Sequence, residues 1–246
     1  MRVSTTSEFP PIDVAALVGA IPLFADSWRH LTIAADGVRT DDGRVLPGLA
    51  VTTGTHPVPG AQYRITSPRT HDAVLVDLIA DDASKLRLGI ADAEGEQSVL
   101  VEIEHPLNAS AIEASWAAHL GDQWPMRGGL HARARVEFAG THPRLTAEIS
   151  HRYLTASAEV TIDERPSQWE SRLDVHVHIR GWLRPVGAVV LFFTRRTVRR
   201  RVEQQHADIS RQVTKFNEEM TKRFGTPPSS QRIADGAMAE LLDAIK

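Results

Sequence analysis

Residues 169–216 read WESRLDVHVHIRGWLRPVGAVVLFFTRRTVRRRVEQQHADISRQVTKF. The opening of this stretch alternates. Leu173, Val175, Val177 and Ile179 fall on one side of an extended chain, and Asp174, His176, His178 and Arg180 on the other, as the period of a strand requires. From Pro185 the period changes. Proline suits the first turn of a helix, where its missing N–H removes no bond. Val198, Val202, Ile209, Val213, Phe216, Met220 and Phe224 then recur at helical spacing, which makes one apolar stripe. Gly225 offers a C-terminal cap and Pro227-Pro228 forbid continuation. About forty residues at ~1.5 Å each give a helix near 60 Å long. The stretch therefore predicts a strand that hands over to one long helix.

Working back from it, period two dominates. Strands are expected at Leu49–Thr53, Gln62–Thr66, Ala73–Ile79, Lys85–Ala91 and Ser98–Glu104, and again at His131–Phe138, Arg144–Tyr153, Ala158–Asp163 and Glu170–Arg180. Val74, Val76 and Leu78 alternate, as do Leu86, Leu88 and Ile90. Short connections favour antiparallel pairing over crossovers. Asp36-Gly37 and Asp42-Gly43 read as tight turns. Arg2–Thr6 reads as an opening strand broken by Pro10-Pro11. Asp13 is an N-cap candidate. Pro22 is expected to split the apolar segment after it into two short helices ending near Trp28. A further helix is expected over Asn108–Leu120, and a small final helix capped by Ser229 or Ser230.

Two pieces carry a family resemblance: RVSTTSEFPPIDVAALVGAIPLFADSW (2–28) and the stretch quoted above. Together they resemble the START-like or SRPBCC superfamily, in particular its polyketide-cyclase-like members, over about a third of the chain. The first piece is similar to the family's opening strand and apolar helix pair with a Trp near its end. The second is similar to its last strand, Arg-Gly-x-Leu-Arg-Pro-type junction and long Arg-rich helix. The resemblance implies an α+β helix-grip fold: an antiparallel sheet wrapped around a long C-terminal helix, with an apolar cavity between them for lipids or polyketide-like molecules. Some members catalyse cyclisation or dehydration there. The chain has more strands in its N-terminal half than compact members have. On this reading residues 1–225 form the ligand-binding domain, 31–120 are an elaboration or a separate β subdomain, and 226–246 are a tail helix.

Composition excludes several function classes. The 246 residues carry 28 Lys+Arg against 31 Asp+Glu, a net charge of −3. Apolar residues make up 42 %, enough surface to offset the entropy of ordering. There is no cysteine, so disulfides, cysteine nucleophiles and thiolate metal sites are excluded. No Gly-x-Ser-x-Gly, phosphate-binding Gly-rich loop, dinucleotide fingerprint or His-Glu-x-x-His occurs. No cofactor is implied, and nothing resembles a helix-turn-helix or RNA-binding module. The N-terminal residues do not read as a signal peptide, so the expected location is the cytoplasm.

The candidate residues follow from the faces. On Arg144–Tyr153, His151 and Tyr153 continue the apolar face of Leu145, Ala147 and Ile149. A His and a Tyr there could orient a ligand, or serve acid–base chemistry near neutral pH. The candidate ligand-binding set is Trp28, Ile149, His151, Tyr153 and Val177. Catalytic residues stay unassigned, and a cyclase or dehydratase using His151 and Tyr153 is the alternative. His176 and His178 are weak metal candidates, since two imidazoles about 7 Å apart on a strand still need a third ligand. Residues 1–130 carry 9 Lys+Arg against 17 Asp+Glu, whereas 181–224 carry 10 against 4. The exposed alternative for that basic segment is an anionic membrane surface met by Arg195, Arg196, Arg199, Arg200 and Arg201. A homodimer through the helices belongs to the same interaction reading.

Overall fold

The computed structural model describes residues 1–39, 45–66, 72–92, 98–119, 129–138, 143–165, 168–180, 184–225 and 229–245. The expected turn at Asp42-Gly43 and the Pro227-Pro228 stop lie outside them, as do Gly140, Pro166, Trp124 and Trp182. In chain order the elements are β1 (Arg2–Phe9), α1 (Val14–His30), β2 (Thr32–Ala34), β3 (Gly37–Arg39), β4 (Val45–Leu46), β5 (Leu49–Thr53), β6 (Gln62–Thr66) and β7 (Ala73–Asp81). They continue with β8 (Lys85–Asp92), β9 (Ser98–Glu104), β10 (Ala111–His119), β11 (Gly129–Glu137), β12 (Arg144–His151), β13 (Leu154–Glu164), β14 (Trp169–Ile179), α2 (Arg184–Phe224) and α3 (Ser230–Ala244). The class is α+β. Eleven of these strands belong to large antiparallel ladders and β2–β3–β4 to a small sheet.

The chain divides into two compact units, each discontinuous in sequence. One is Met1–Ile12 with Ala117–Gly225, and the other is Asp13–Trp116 with Thr226–Lys246. This division does not follow the linear boundary at 225. Residues 226–246 belong with α1 and the strands of 31–116 rather than forming a tail, because α3 packs along α1.

In the first unit the strand order is β1-β14-β13-β12-β11. Val3 lies opposite Val175, Thr5 opposite Leu173, Ser7 opposite Ser171 and Phe9 opposite Trp169. Of these, Val3, Phe9, Trp169, Ser171 and Leu173 are buried, and Phe9 meets Trp169 edge-on at 6.1 Å. Helix α2 packs on β1 and β14. It is continuous over 41 residues, and Gly225 ends it at φ 88° with its N–H on the Thr221 carbonyl at 3.0 Å. Its deepest described residues are not those of the apolar stripe. His206 and Ser210 are buried, whereas Ile209 and Phe216 are 51 % and 44 % exposed. The inward row steps by four from Val202 through His206 to Ser210. Ser210 and Thr214 bury their hydroxyls by donating to the carbonyls of His206 and Ser210 at 3.1 and 3.0 Å, the local bond that lets polar residues sit inside a helix packing face.

In the second unit the order is β9-β8-β7-β6-β5, with β10 beside β9. Asp13 caps α1 as expected, its carboxylate accepting from the Ala16 N–H at 2.8 Å. Pro22 does not split α1, which runs unbroken for 17 residues. Proline inside a helix costs about 3 kcal/mol, and packing on α3 outweighs it. The expected helix over Asn108–Leu120 is a single 3-10 turn at Pro106–Asn108 followed by strand β10. Its alanines suggest a helix, but Ile112, Ala114 and Trp116 alternate with Glu113 and Ser115, and propensity is a weak prior against ladder pairing. The core joins Val38, Leu46, Leu49, Ala61, Tyr63, Leu78 and Ile245. Gly48 closes it: its N–H donates to the Ile245 carbonyl at 3.2 Å, and a Cβ there would sit 2.6 Å from that oxygen. Among the described residues no helix is long and apolar enough to cross a membrane.

Candidate functional site

The second unit holds a partly open cavity of about 500 Å³. Helix α1 lines it with Leu17, Ala20, Ile21, Phe24 and Trp28, one face at spacings of three and four. Helix α3 adds Ile233, Ala237 and Leu241 one turn apart, with Ala234 beside them. Strands β6 to β9 supply Tyr63, Ile65, Val76, Leu78, Leu86, Leu88, Ile90 and Ile103, alternate residues that share a face. The register matches them across the ladders: Tyr63 opposite Val76, Val76 opposite Ile90, Leu78 opposite Leu88, and Leu86 opposite Ile103.

One strand breaks its alternation here. The β7–β8 register shifts between Leu78 and Ala80, so that Asp81 comes opposite Leu86. Strict alternation after Leu78 would turn Ala80 inward and Asp81 outward. The bulge adds one residue, Ile79, which is 46 % exposed, and turns Asp81 onto the cavity face. Re-aiming a side chain is a characteristic use of bulges. Arg29, in the last turn of α1, meets it. Its Nε donates to Asp81 Oδ2 at 2.9 Å and its Nη2 to Oδ1 at 2.5 Å. The pair is well shielded, the side chains being 30 % and 11 % exposed.

Beside this pair three rings lock together. Trp28 meets Tyr63 edge-on at 5.2 Å and His56 at 5.4 Å. The Trp28 carbonyl can only accept, so the His56 Nε2 at 3.1 Å carries the proton. Nδ1 then accepts from the Tyr63 hydroxyl at 2.9 Å. Burial holds His56 below the usual histidine range, against the opposing pull of that carbonyl bond. Burial, aided by the Asp81 charge, pushes the Tyr63 phenol up to about 12. Both groups are therefore neutral at physiological pH.

Trp28 is the residue of the expected binding set that lines this cavity. Ile149, His151, Tyr153 and Val177 belong to the first unit and line no part of it. Ile149 is 43 % exposed. His151 and Tyr153 do meet, ring to ring at 5.6 Å, with Arg152 over the Tyr153 ring at 5.3 Å. The His151 Nε2 is buried without a hydrogen-bond partner. Val177 is tied to the first residue, its carbonyl accepting from the Met1 ammonium at 2.7 Å. The expected cavity, between a sheet and the long helix, differs from the one described, which α1, α3 and β6–β9 enclose.

His176 and His178 are exposed. His176 borders a polar depression of about 360 Å³ with Arg133, Arg135, Glu148, Glu159 and Asp174. Asp174 accepts from Ser4, Arg2 and Arg172, and the Ser4 hydroxyl above all holds its carboxyl below the usual range. Among the described residues no three His, Asp or Glu side chains gather as a metal site would require. Arg195, Arg196, Arg199, Arg200 and Arg201 are all exposed, and Arg199 pairs with Glu203 at 2.7 Å. Sequence reasoning missed Arg29, His56, Tyr63 and Asp81. Their one legible signal was Tyr63 on an apolar strand face.

No family model matches the sequence, and no curated protein matches it. Among solved structures the chain is similar to the di-domain ARO/CYC StfQ from the steffimycin biosynthetic pathway, at 7 % identity and a TM-score of 0.29, over 88 % of this chain and 98 % of that one. It is also similar to DynU16 of the dynemicin biosynthetic locus, at 10 % identity and a TM-score of 0.19, over 74 % of this chain and 87 % of that one. Scores this low fix neither a family nor a function.

Proposed function

We propose that the protein binds an apolar or amphipathic small molecule in the cavity of its second unit. One observation carries this reading: a cavity of about 500 Å³ whose lining is aliphatic and aromatic except for Tyr63 and a polar corner formed by the Arg29–Asp81 pair. Ligand sites have that make-up and that size, typically 300–1,000 Å³ with a few convergent polar groups. Each methylene withdrawn from water into such a space gains about 0.8 kcal/mol. A lipid or polyketide-like molecule is the class of occupant that fits.

The test is mass spectrometry of the purified protein under native and denaturing conditions, with analysis of its organic extract. The expected result is a stoichiometric apolar molecule that is lost in Ala20→Leu, a substitution that fills the cavity from α1. If wild type carries nothing and takes up no uncharged apolar fluorophore, the binding reading fails.

A further inference from the structure

The polar corner says what kind of molecule the cavity accepts, and this step rests on the binding reading above. Of the twenty residues that line the cavity, Arg29, Tyr63 and Asp81 carry ionisable groups. In an apolar cavity an ionised ligand head needs an opposite charge not already matched. Arg29 is matched: two of its five N–H donors grip the Asp81 carboxylate in a fork. A ligand carboxylate placed against Arg29 would also face Asp81, and a ligand ammonium placed against Asp81 would face Arg29. Either one enters with its charge uncompensated.

What the corner does offer is hydrogen bonding. The guanidinium has donors beyond the two that the carboxylate takes. Tyr63 is only 1 % exposed and its hydroxyl is committed to His56 Nδ1, so it closes the wall and leaves the Arg29 donors as the hydrogen-bonding groups that meet a ligand. A donor suits the oxygen of a hydroxyl or of a carbonyl. Size sets the rest. At about 30 Å³ per heavy atom, the volume a water molecule takes in the liquid, the cavity holds on the order of 15 non-hydrogen atoms.

We propose that the ligand is electrically neutral, an apolar body of that size bearing a hydroxyl or carbonyl oxygen that accepts from the Arg29 guanidinium, and that the Arg29–Asp81 pair excludes fatty carboxylates and amines.

The test is a chain-matched panel of decan-1-ol, decan-2-one, decanoate and decylammonium. Each competes with uncharged 1-aminoanthracene on the full-length protein at about pH 7.5, where the carboxylate and the amine are both ionised. The alcohol or the ketone is expected to displace the probe at least about tenfold more tightly than either ion. In Asp81→Asn, which leaves the Arg29 charge unmatched, decanoate is expected to gain about tenfold on decan-1-ol. Equal binding of all four compounds by wild type, or tighter decanoate, overturns the inference and leaves the binding reading standing. An unchanged preference in Asp81→Asn overturns the role given to the pair. If that variant does not fold, Arg29→Gln takes its place, with decylammonium expected to gain instead. If the probe itself does not bind, the binding reading fails and the inference with it.

Discussion

Arg29 and Asp81, 52 residues apart in sequence, form a two-pronged ion pair at 2.9 and 2.5 Å because a β-bulge turns the aspartate to the cavity side. Removing one partner strands a shielded charge. Arg29→Met and Asp81→Asn are each expected to lower the unfolding free energy by about 2–3 kcal/mol, below the 3–5 of a fully buried pair because Arg29 retains some solvent. The double variant should lose less than the two single losses added. Urea unfolding of the four proteins closes the cycle, and strict additivity would deny the coupling.

Acid should weaken the fold through half-buried His56 and buried His206. Burial lowers the pKa of both His56 and His206 below 6.5, so the unfolded chain binds more protons than the native one as pH falls through that value. Stability then rises with pH: it is fully present above about 6.5 and is lost progressively below it. His56→Gln with His206→Gln should flatten the change in urea midpoint between about pH 7.5 and 5. An unchanged slope would assign the acid sensitivity to other groups.

Alkali probes the other ring of the same contact. The chain has two tyrosines, so Tyr153→Phe leaves Tyr63 alone. Its phenolate absorbance should emerge near pH 12. Because its folded pKa is raised, its contribution is complete below the ordinary value near 10 and is lost as pH rises toward 12. Phenolate appearing near pH 10 in folded protein would show that the ring is not buried as described.

Core and cavity wall should respond differently to truncation. Leu49 is fully buried outside the cavity, and Leu49→Ala should cost about 2–5 kcal/mol with no change in the relative affinities of bound molecules. Leu88 lines the cavity and is only partly buried. Leu88→Ala should cost less and shift preference toward larger ligands. Chemical unfolding together with a binding series on both variants separates the two.

Gly48 offers a steric test. A Cβ there would lie 2.6 Å from the Ile245 carbonyl oxygen and 2.7 Å from its Cα, so the backbone itself must move. Gly48→Ala should destabilise by about 1–3 kcal/mol through overpacking. Gly89→Ala, whose nearest neighbour would be the Ile79 Cδ1 at 3.4 Å, should be far milder. Equal midpoints for the two would mean that the Ile245 segment is not seated as described.

The strands and helices were largely legible because their signals are local. Leu49–Thr53, Gln62–Thr66 and Ser98–Glu104 alternate cleanly and appear where expected, and Gly225 and Ser229 punctuate the last two helices. The cavity was much less legible. Trp28 could be placed near a pocket from the end of an apolar helix. Asp81, however, faces inward only through a bulge, and the alternation of Val74, Val76 and Leu78 gives no notice of it. His56 sits in a loop and matters because of two partners 28 and 7 residues away. The buried row of α2 eluded the pattern because His206 and Ser210 are polar; they sit inside with the Ser210 hydroxyl on the His206 carbonyl and the His206 Nε2 on the Ser171 hydroxyl at 2.8 Å.

The two interleaved units also set an order of assembly during synthesis. A ribosome adds about 5–20 residues per second, so residues 226–246 trail residue 116 by on the order of ten seconds. Throughout that interval α1 has no α3 beside it and Gly48 has no Ile245 carbonyl to meet. The cavity wall of β6–β9 stands open to water and to other nascent chains. The unit that holds α1 is thus completed only after residues 117–225 of the other unit have been made, and it is the part that a chaperone or an early-binding ligand has most reason to protect.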